Sequence, residues 1–201
     1  MNKTNIEFCD FTWNPIVGCK IGCPYCWARG QHDRFYLPEK FDSPRFYPNR
    51  LKLPGQRKKP ARIFICSMGD IFSPGVKDEW IEQVLKVVAD NPQHRFMFLS
   101  KNPKRYKEFN FPLGNAWIGT SIDYAAYARR IDHLVDCGCK HVSFVLVEPL
   151  LSSMATVDFR KIDLCFVGAQ TGPGAVIPPK EWIYSINHHD PHYKENIKAY
   201  L

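Results

Sequence analysis

The sequence predicts an α/β fold: one domain on a parallel sheet, which right-handed crossovers would curl toward a barrel. Three observations predict it. Short apolar, β-prone runs lie at Arg62–Cys66, Arg95–Leu99, Ala116–Thr120, His141–Val147 and Leu164–Gly168. Helix-like stretches lie between them, and such alternation implies βαβ units. The chain has 201 residues, 45% hydrophobic and 23% charged, which suits one sizeable core and leaves little room for a second.

Taken in order, the N-terminus Met1–Glu7 lacks the apolar core of a signal peptide. Pro24 suits the first turn of a helix continuing through Trp27-Ala28-Arg29. Asp42–Pro60 holds Pro44, Pro48, Pro54 and Pro60 and reads as a loop. Asp78–Ala89 carries Trp80, Ile81, Val84, Leu85 and Val88 at helical spacing, and Tyr124–Cys137 carries Tyr127, Ile131, Leu134 and Val135 likewise. A helix over Pro179–Ile186 and a last strand at His192–Lys194 close the chain, with Pro191 at the strand's start. If the strands are parallel, five polar or glycine-containing endings share one rim: Ser67-Met68-Gly69-Asp70, Ser100-Lys101-Asn102, Thr120-Ser121, Glu148-Pro149 and Gly168–Gly174.

No apolar stretch approaches the ~20 residues of a transmembrane helix, so a cytoplasmic protein is expected, where disulfides are disfavoured. The net charge is +7. Basic residues cluster at Arg57-Lys58-Lys59 with Arg62, and at Lys101, Lys104, Arg105 and Lys107; they suit phosphate contacts or a solvated face. The stretch Ser43–Arg62, with Phe46 and Tyr47 among its cations, is expected to project near the open rim and guide a polyanion.

Of eight cysteines, Cys19, Cys23 and Cys26 form a tight group, which in a reducing compartment suggests metal. Gly22 permits an unusual backbone angle between them. Iron–sulfur clusters normally take four thiolates; three leave one iron of a [4Fe–4S] cluster open to another ligand. Structural zinc is the competing reading, with His32, Cys9 or Asp33 as the fourth ligand. Cys9, Cys66, Cys137, Cys139 and Cys165 read as buried small residues. His188 and His189 read as exposed surface.

The pattern Cys-x-x-x-Cys-x-aromatic-Cys, with Tyr25 in the aromatic slot, resembles the signature of the radical S-adenosylmethionine superfamily. Thr12-Trp13-Asn14-Pro15, Ser67–Phe72, Phe98–Pro103, Trp117–Ser121, Glu148-Pro149-Leu150 and Val167–Ala175 occur in order around it. Together they resemble the phage-associated three-Cys-motif family of that superfamily, over about Asn5 to Asn196. The resemblance implies a partial (β/α)6-type parallel barrel, a [4Fe–4S] cluster after the first strand, and S-adenosylmethionine cleaved to a 5′-deoxyadenosyl radical.

It also implies roles at the rim. Met68-Gly69-Asp70 would hold the methionine amino group, Tyr25 would lie near the adenine, and Ser121 would meet the ribose or the carboxylate. The turn from Gly168 would approach the adenine, although Ala169 and Gln170 stand where relatives carry Gly and Glu. Lys101 and Glu148 complete the binding set. The plainer readings are a turn cap for Asp70, a solvated Lys101, and packing for Tyr25 and Trp27. Flavodoxin or ferredoxin is the implied reductant. An uncovered barrel favours a large substrate, nucleic acid or peptide, or a partner protein that closes the site. The alternative is a nucleic-acid-binding module with a structural metal site.

Overall fold

The computed structural model describes residues 1–35, 40–138 and 141–201. Along the chain, β1 (Asn2–Lys3), β2 (Phe11–Trp13) and β3 (Ile16–Val17) precede helix α1 (Trp27–Arg34), and β4 (Arg45–Phe46) follows it. Then come β5 (Arg62–Ile65), α2 (Asp78–Ala89), β6 (Arg95–Ser100), β7 (Ala116–Ser121), α3 (Arg129–Val135) and β8 (Ser143–Val147). The chain ends with β9 (Leu164–Val167), α4 (Lys180–Tyr184), β10 (Pro191–Tyr193) and α5 (Glu195–Lys198).

The main sheet has eight strands in the order β1-β2-β5-β6-β7-β8-β9-β10. Every neighbouring pair from β2 to β10 is parallel, and β1 runs antiparallel at the edge. The α/β class and the parallel sheet expected from the alternation are therefore the observed ones. β2 supplies the strand before the cysteine loop, and β3 and β4 form a separate hairpin-like pair flanking that loop. No helix among the described residues is long and apolar enough to cross a membrane.

Several elements differ from the sequence reading for local reasons. Pro24 lies in a turn outside α1, because Cys26, extended at φ −65° and ψ 104°, is the N-cap and accepts from the Arg29 amide. The helix expected over Tyr124–Cys137 is broken: the Ala125 amide bonds to Ser152 Oγ at 2.8 Å, and the following residues form only a 3₁₀ turn before α3. The run from His141 becomes a strand at Ser143, where Asp163 accepts from both the Ser143 amide and hydroxyl. His188 is buried, not exposed, with Nε2 against the Ile162 carbonyl at 2.9 Å. Cys139 lies outside the described residues. Cys9, Cys66 and Cys165 are buried.

The strand alternation splits the core. Ile63, Ile65, Phe96, Phe98, Ile118, Val145, Val147 and Val167 join the larger hydrophobic core, which also takes in the helices. α2 adds Ile81, Val84, Leu85 and Val88, worth roughly 6–12 kcal/mol of gross burial. The intervening positions Met97, Phe144 and Leu146 face the concave side. There the N-terminal turn acts as a plug: Phe8 packs on Phe64 and Phe166 at ring separations of 5.4 and 5.5 Å.

The basic stretch lies only in part where the sequence reading put it. Arg45 pairs in register with Val17, two residues before Cys19, so its first part is near the cysteine loop. Arg57 stacks on Phe11 at the start of β2, and its carbonyl accepts from Gln93, just before β6. The Arg57-Lys58-Lys59 cluster therefore sits at the amino ends of the parallel strands, opposite the rim.

Replacing Phe8 by Ala empties the concave floor and is expected to cost about 3–5 kcal/mol. Thermal unfolding of the metal-free protein should fall by roughly 6–20 °C. A shift of under about 2 °C would show that the plug contributes nothing.

Candidate functional site

The three-cysteine loop is seated by backbone contacts. The Gly18 amide donates to the Met68 carbonyl at 2.9 Å, and Gly18 and Gly69 form a parallel bridge. A Cβ on Gly69 would lie 2.5 Å from the Gly18 carbonyl oxygen, so only glycine permits this approach. Gly18 has φ +100°, in the region that favours glycine. Beyond it the Cys19 amide donates to the Phe41 carbonyl and the Lys20 amide to Ser73 Oγ, both at 2.8 Å.

Cys19, Cys23 and Cys26 are free and half-buried. Burial pushes the Cys19 thiol up to about 11, with the Asp70 and Cys23 charges adding to the shift. Burial also raises Cys23; Lys101 pulls it back, while Cys26 and Asp123 push it further. Cys19 and Cys23 thus lack a local cation strong enough to ionise them. A metal centre that takes thiolates would supply the missing positive charge and release their protons. Among the described residues, no three His, Cys, Asp or Glu side chains close around a single ion. A four-iron cluster asks something different of a loop, because each thiolate meets a separate iron. Three sulfur donors on one short loop fit that donor set.

The fourth-ligand candidates for zinc are engaged elsewhere. His32 Nε2 accepts from Arg45 at 3.0 Å and its Nδ1 faces Asp33 at 3.3 Å. Cys9 packs in the concave plug.

Across the rim, Tyr25 donates to Asp123 Oδ2 at 2.6 Å and accepts from Lys101 Nζ at 2.5 Å. Lys101 Nζ and Arg130 Nη1 both reach Asp123 Oδ1 at 3.1 Å. Burial alone would raise the Asp123 carboxyl, but Lys101, the Tyr25 hydroxyl and Arg130 outweigh it and hold the carboxyl below its ordinary value. Arg130 also donates to the Ser121 carbonyl at 2.8 Å, and Ser121 itself is buried.

Asp70 lies inside the turn after β5. Its carboxylate accepts from Ser100 Oγ at 2.8 Å, and from the Lys101 and Phe72 amides at 2.9 Å each. These bonds make Asp70 the cap of its turn. Cys66, at the strand end, has φ +60°, a strained angle for a non-glycine residue. Asn14 Oδ1 holds the same turn by accepting from the Met68 amide at 2.9 Å and Ser67 Oγ at 3.2 Å.

On the other side of the rim, Lys194 Nζ donates to both Glu148 oxygens at 2.7 Å, and Asn196 Nδ2 donates to Oε1 at 2.9 Å. Gly168 makes room for this group, since a Cβ there would fall 2.6 Å from Glu148 Oε1. Gln170 Oε1 accepts from the Val176 amide at 3.2 Å and folds the following turn on itself.

The parallel register Ser100↔Thr120, Ser121↔Leu146 and Val147↔Val167 explains why residues so far apart in sequence share one rim. Tyr25, Lys101 and the Ser121 backbone meet around Asp123, while Glu148 and Gly168 form a second group. Sequence reading missed Asp123, Arg130, Lys194 and Asn196. Asp123 lies beyond the end of β7, where strand alternation no longer assigns a face, and nothing beside it in sequence signals its partners. Lys194 and Asn196 carried only the indirect signal that a buried Glu148 needs a partner.

Comparison with known proteins fits this architecture. The fold is similar to solved structures of spore photoproduct lyase. A double mutant with bound AdoMet and dinucleoside spore photoproduct matches with TM-score 0.56 at 13% identity, over 74% of this chain and 48% of that one. A tyrosine-to-phenylalanine mutant matches with TM-score 0.54 at 14% identity, over 74% and 48%. The chain thus spans about half the length of these structures. No curated protein matches it. A family model covers residues 3–195, and the chain belongs to that family, described as protein of unknown function DUF5131.

Proposed function

We propose that this protein is a radical S-adenosylmethionine enzyme whose cluster is held by Cys19, Cys23 and Cys26. The observation that carries the reading is a three-thiol loop seated by Gly18 and Gly69 at the carboxyl rim of a partial parallel barrel. The likeness in fold to a spore photoproduct lyase structure with bound AdoMet supports it.

When bound, a [4Fe–4S] cluster with one iron free of protein ligation supplies the electron that cleaves S-adenosylmethionine into methionine and a 5′-deoxyadenosyl radical. The chain's own residues do the positioning. The cysteine loop fixes the sulfur donors. Lys101, paired with Asp123 and Tyr25, keeps the far half of the loop on the rim. Gly168, with no Cβ, leaves room for the Glu148 carboxylate that Lys194 and Asn196 hold beside the turn. Asp70 acts indirectly, by holding the turn on which Gly69 meets Gly18. The hydrogen that the radical abstracts belongs to a substrate that reaches the rim, a nucleic acid or a peptide. A flavodoxin or ferredoxin is the class of reductant required. The relocation of Arg57-Lys58-Lys59 to the opposite end removes the motive for routing a polyanion through that cluster.

Anaerobically reconstituted protein should carry about four irons and show the broad visible absorption of thiolate-bound clusters. Replacing Cys19, Cys23 or Cys26 by Ala should abolish both; replacing Cys137 should not. Stoichiometric zinc in anaerobic protein would reverse the assignment. After chemical reduction, the intact protein should release 5′-deoxyadenosine from S-adenosylmethionine, and absence of that product from cluster-loaded protein would leave only the metal-bearing binding module.

Asp70→Ala orphans a buried hydroxyl and two amides and should destabilise the metal-free fold by about 1–3 kcal/mol. Urea unfolding measures it. Unchanged stability together with weakened S-adenosylmethionine binding would restore Asp70 as a direct ligand.

A further inference from the structure

We propose that Asp123 is a positioning residue that docks the far half of the cysteine loop onto the barrel rim. The loop is anchored twice. Its near half is pinned at Gly18, Cys19 and Lys20 by bonds to Met68, Phe41 and Ser73. Its far half crosses to the rim through the Tyr25 hydroxyl, which ends on Asp123 at 2.6 Å. Tyr25 lies between Cys23 and Cys26, so this one bond sets where both sulfurs sit relative to Cys19.

Asp123 is suited to that task. Its side chain is 8% exposed, and a carboxylate so buried must be paired. Its partners come from three other parts of the chain: the loop, the end of β6 through Lys101, and the first turn of α3 through Arg130. The two cations fix the carboxylate, and the fixed carboxylate then orients Tyr25. Removing it would leave two buried cations facing each other and the tyrosine without an acceptor. Lys101 in turn lies over the Tyr25 ring, 5.1 Å from its centroid, so that face of the ring is already covered.

The consequence for metal retention rests on reading the loop as a cluster site; the docking itself does not. The test starts with metal-free protein and hydrogen exchange at the amides of residues 19–29. Tyr25→Phe removes one hydroxyl and keeps the ring. It should speed exchange in this loop about ten- to a hundred-fold, with the sheet amides unchanged. Asp123→Asn should do the same, and the double variant should be no faster than the faster single one. Asp123→Glu should recover part of the protection. In reconstituted protein, loss of iron to a chelator should accelerate by about 10–100-fold in both single variants. Unchanged loop exchange in Tyr25→Phe, or effects of the two substitutions that multiply, would overturn the proposal. If the protein takes up no iron, the cluster reading falls, and the exchange measurement still decides the docking.

Discussion

The close approach of Gly18 to Gly69 is the contact on which the rest of the site depends. A side chain on Gly69 would collide with the backbone at 2.5 Å, and backbone has no rotamer into which it can retreat. The approach brings the chain leaving β3 against the turn leaving β5. The cysteine loop must then start over the carboxyl ends of the strands, where the other polar turns already lie. Cys66 at φ +60° and the Asn14 and Asp70 side chains serve the same contact, since each shapes the turn that Gly69 occupies. Asn14 and Asp70 thus both hold the backbone of the turn that seats the cysteine loop.

Charge is arranged on the rim with the same economy. Lys101 and Arg130 face Asp123, and Lys194 faces Glu148, so each of these two carboxylates has a cation supplied by another segment. Isolated, any of these groups would be costly to bury. As pairs, they join strands to loops: β6, β7 and α3 to the cysteine loop on one side, and β8 to the C-terminal segment on the other. Beneath them the concave floor is apolar and closed by Phe8.

Much of this was legible in the sequence. Local apolar runs found the strands from β5 to β9, because buried parallel strands are continuous in their apolar character. The three cysteines stood out by spacing alone. What was not legible depended on distance in three dimensions. Asp70 looks the same in sequence whether its carboxylate faces a ligand or the Ser100 hydroxyl. Arg57-Lys58-Lys59 follows the cysteine helix in sequence, yet the chain runs the length of the barrel in between and delivers it to the opposite end. His188 read as surface because its neighbours are polar, and only the fold brings the Ile162 carbonyl to its ring. Asp123 was hidden for another reason: its partners lie 98, 22 and 7 residues away, counting from Tyr25, Lys101 and Arg130.

The central claim is that three thiolates on a glycine-seated loop hold a cluster with one iron open to S-adenosylmethionine. Electron paramagnetic resonance of the reduced, reconstituted protein tests it most directly, recorded before and after adding S-adenosylmethionine. The account predicts a reduced-cluster signal whose shape changes on addition, because the open iron acquires a new ligand. A cluster signal that stays unchanged at saturating S-adenosylmethionine would contradict it.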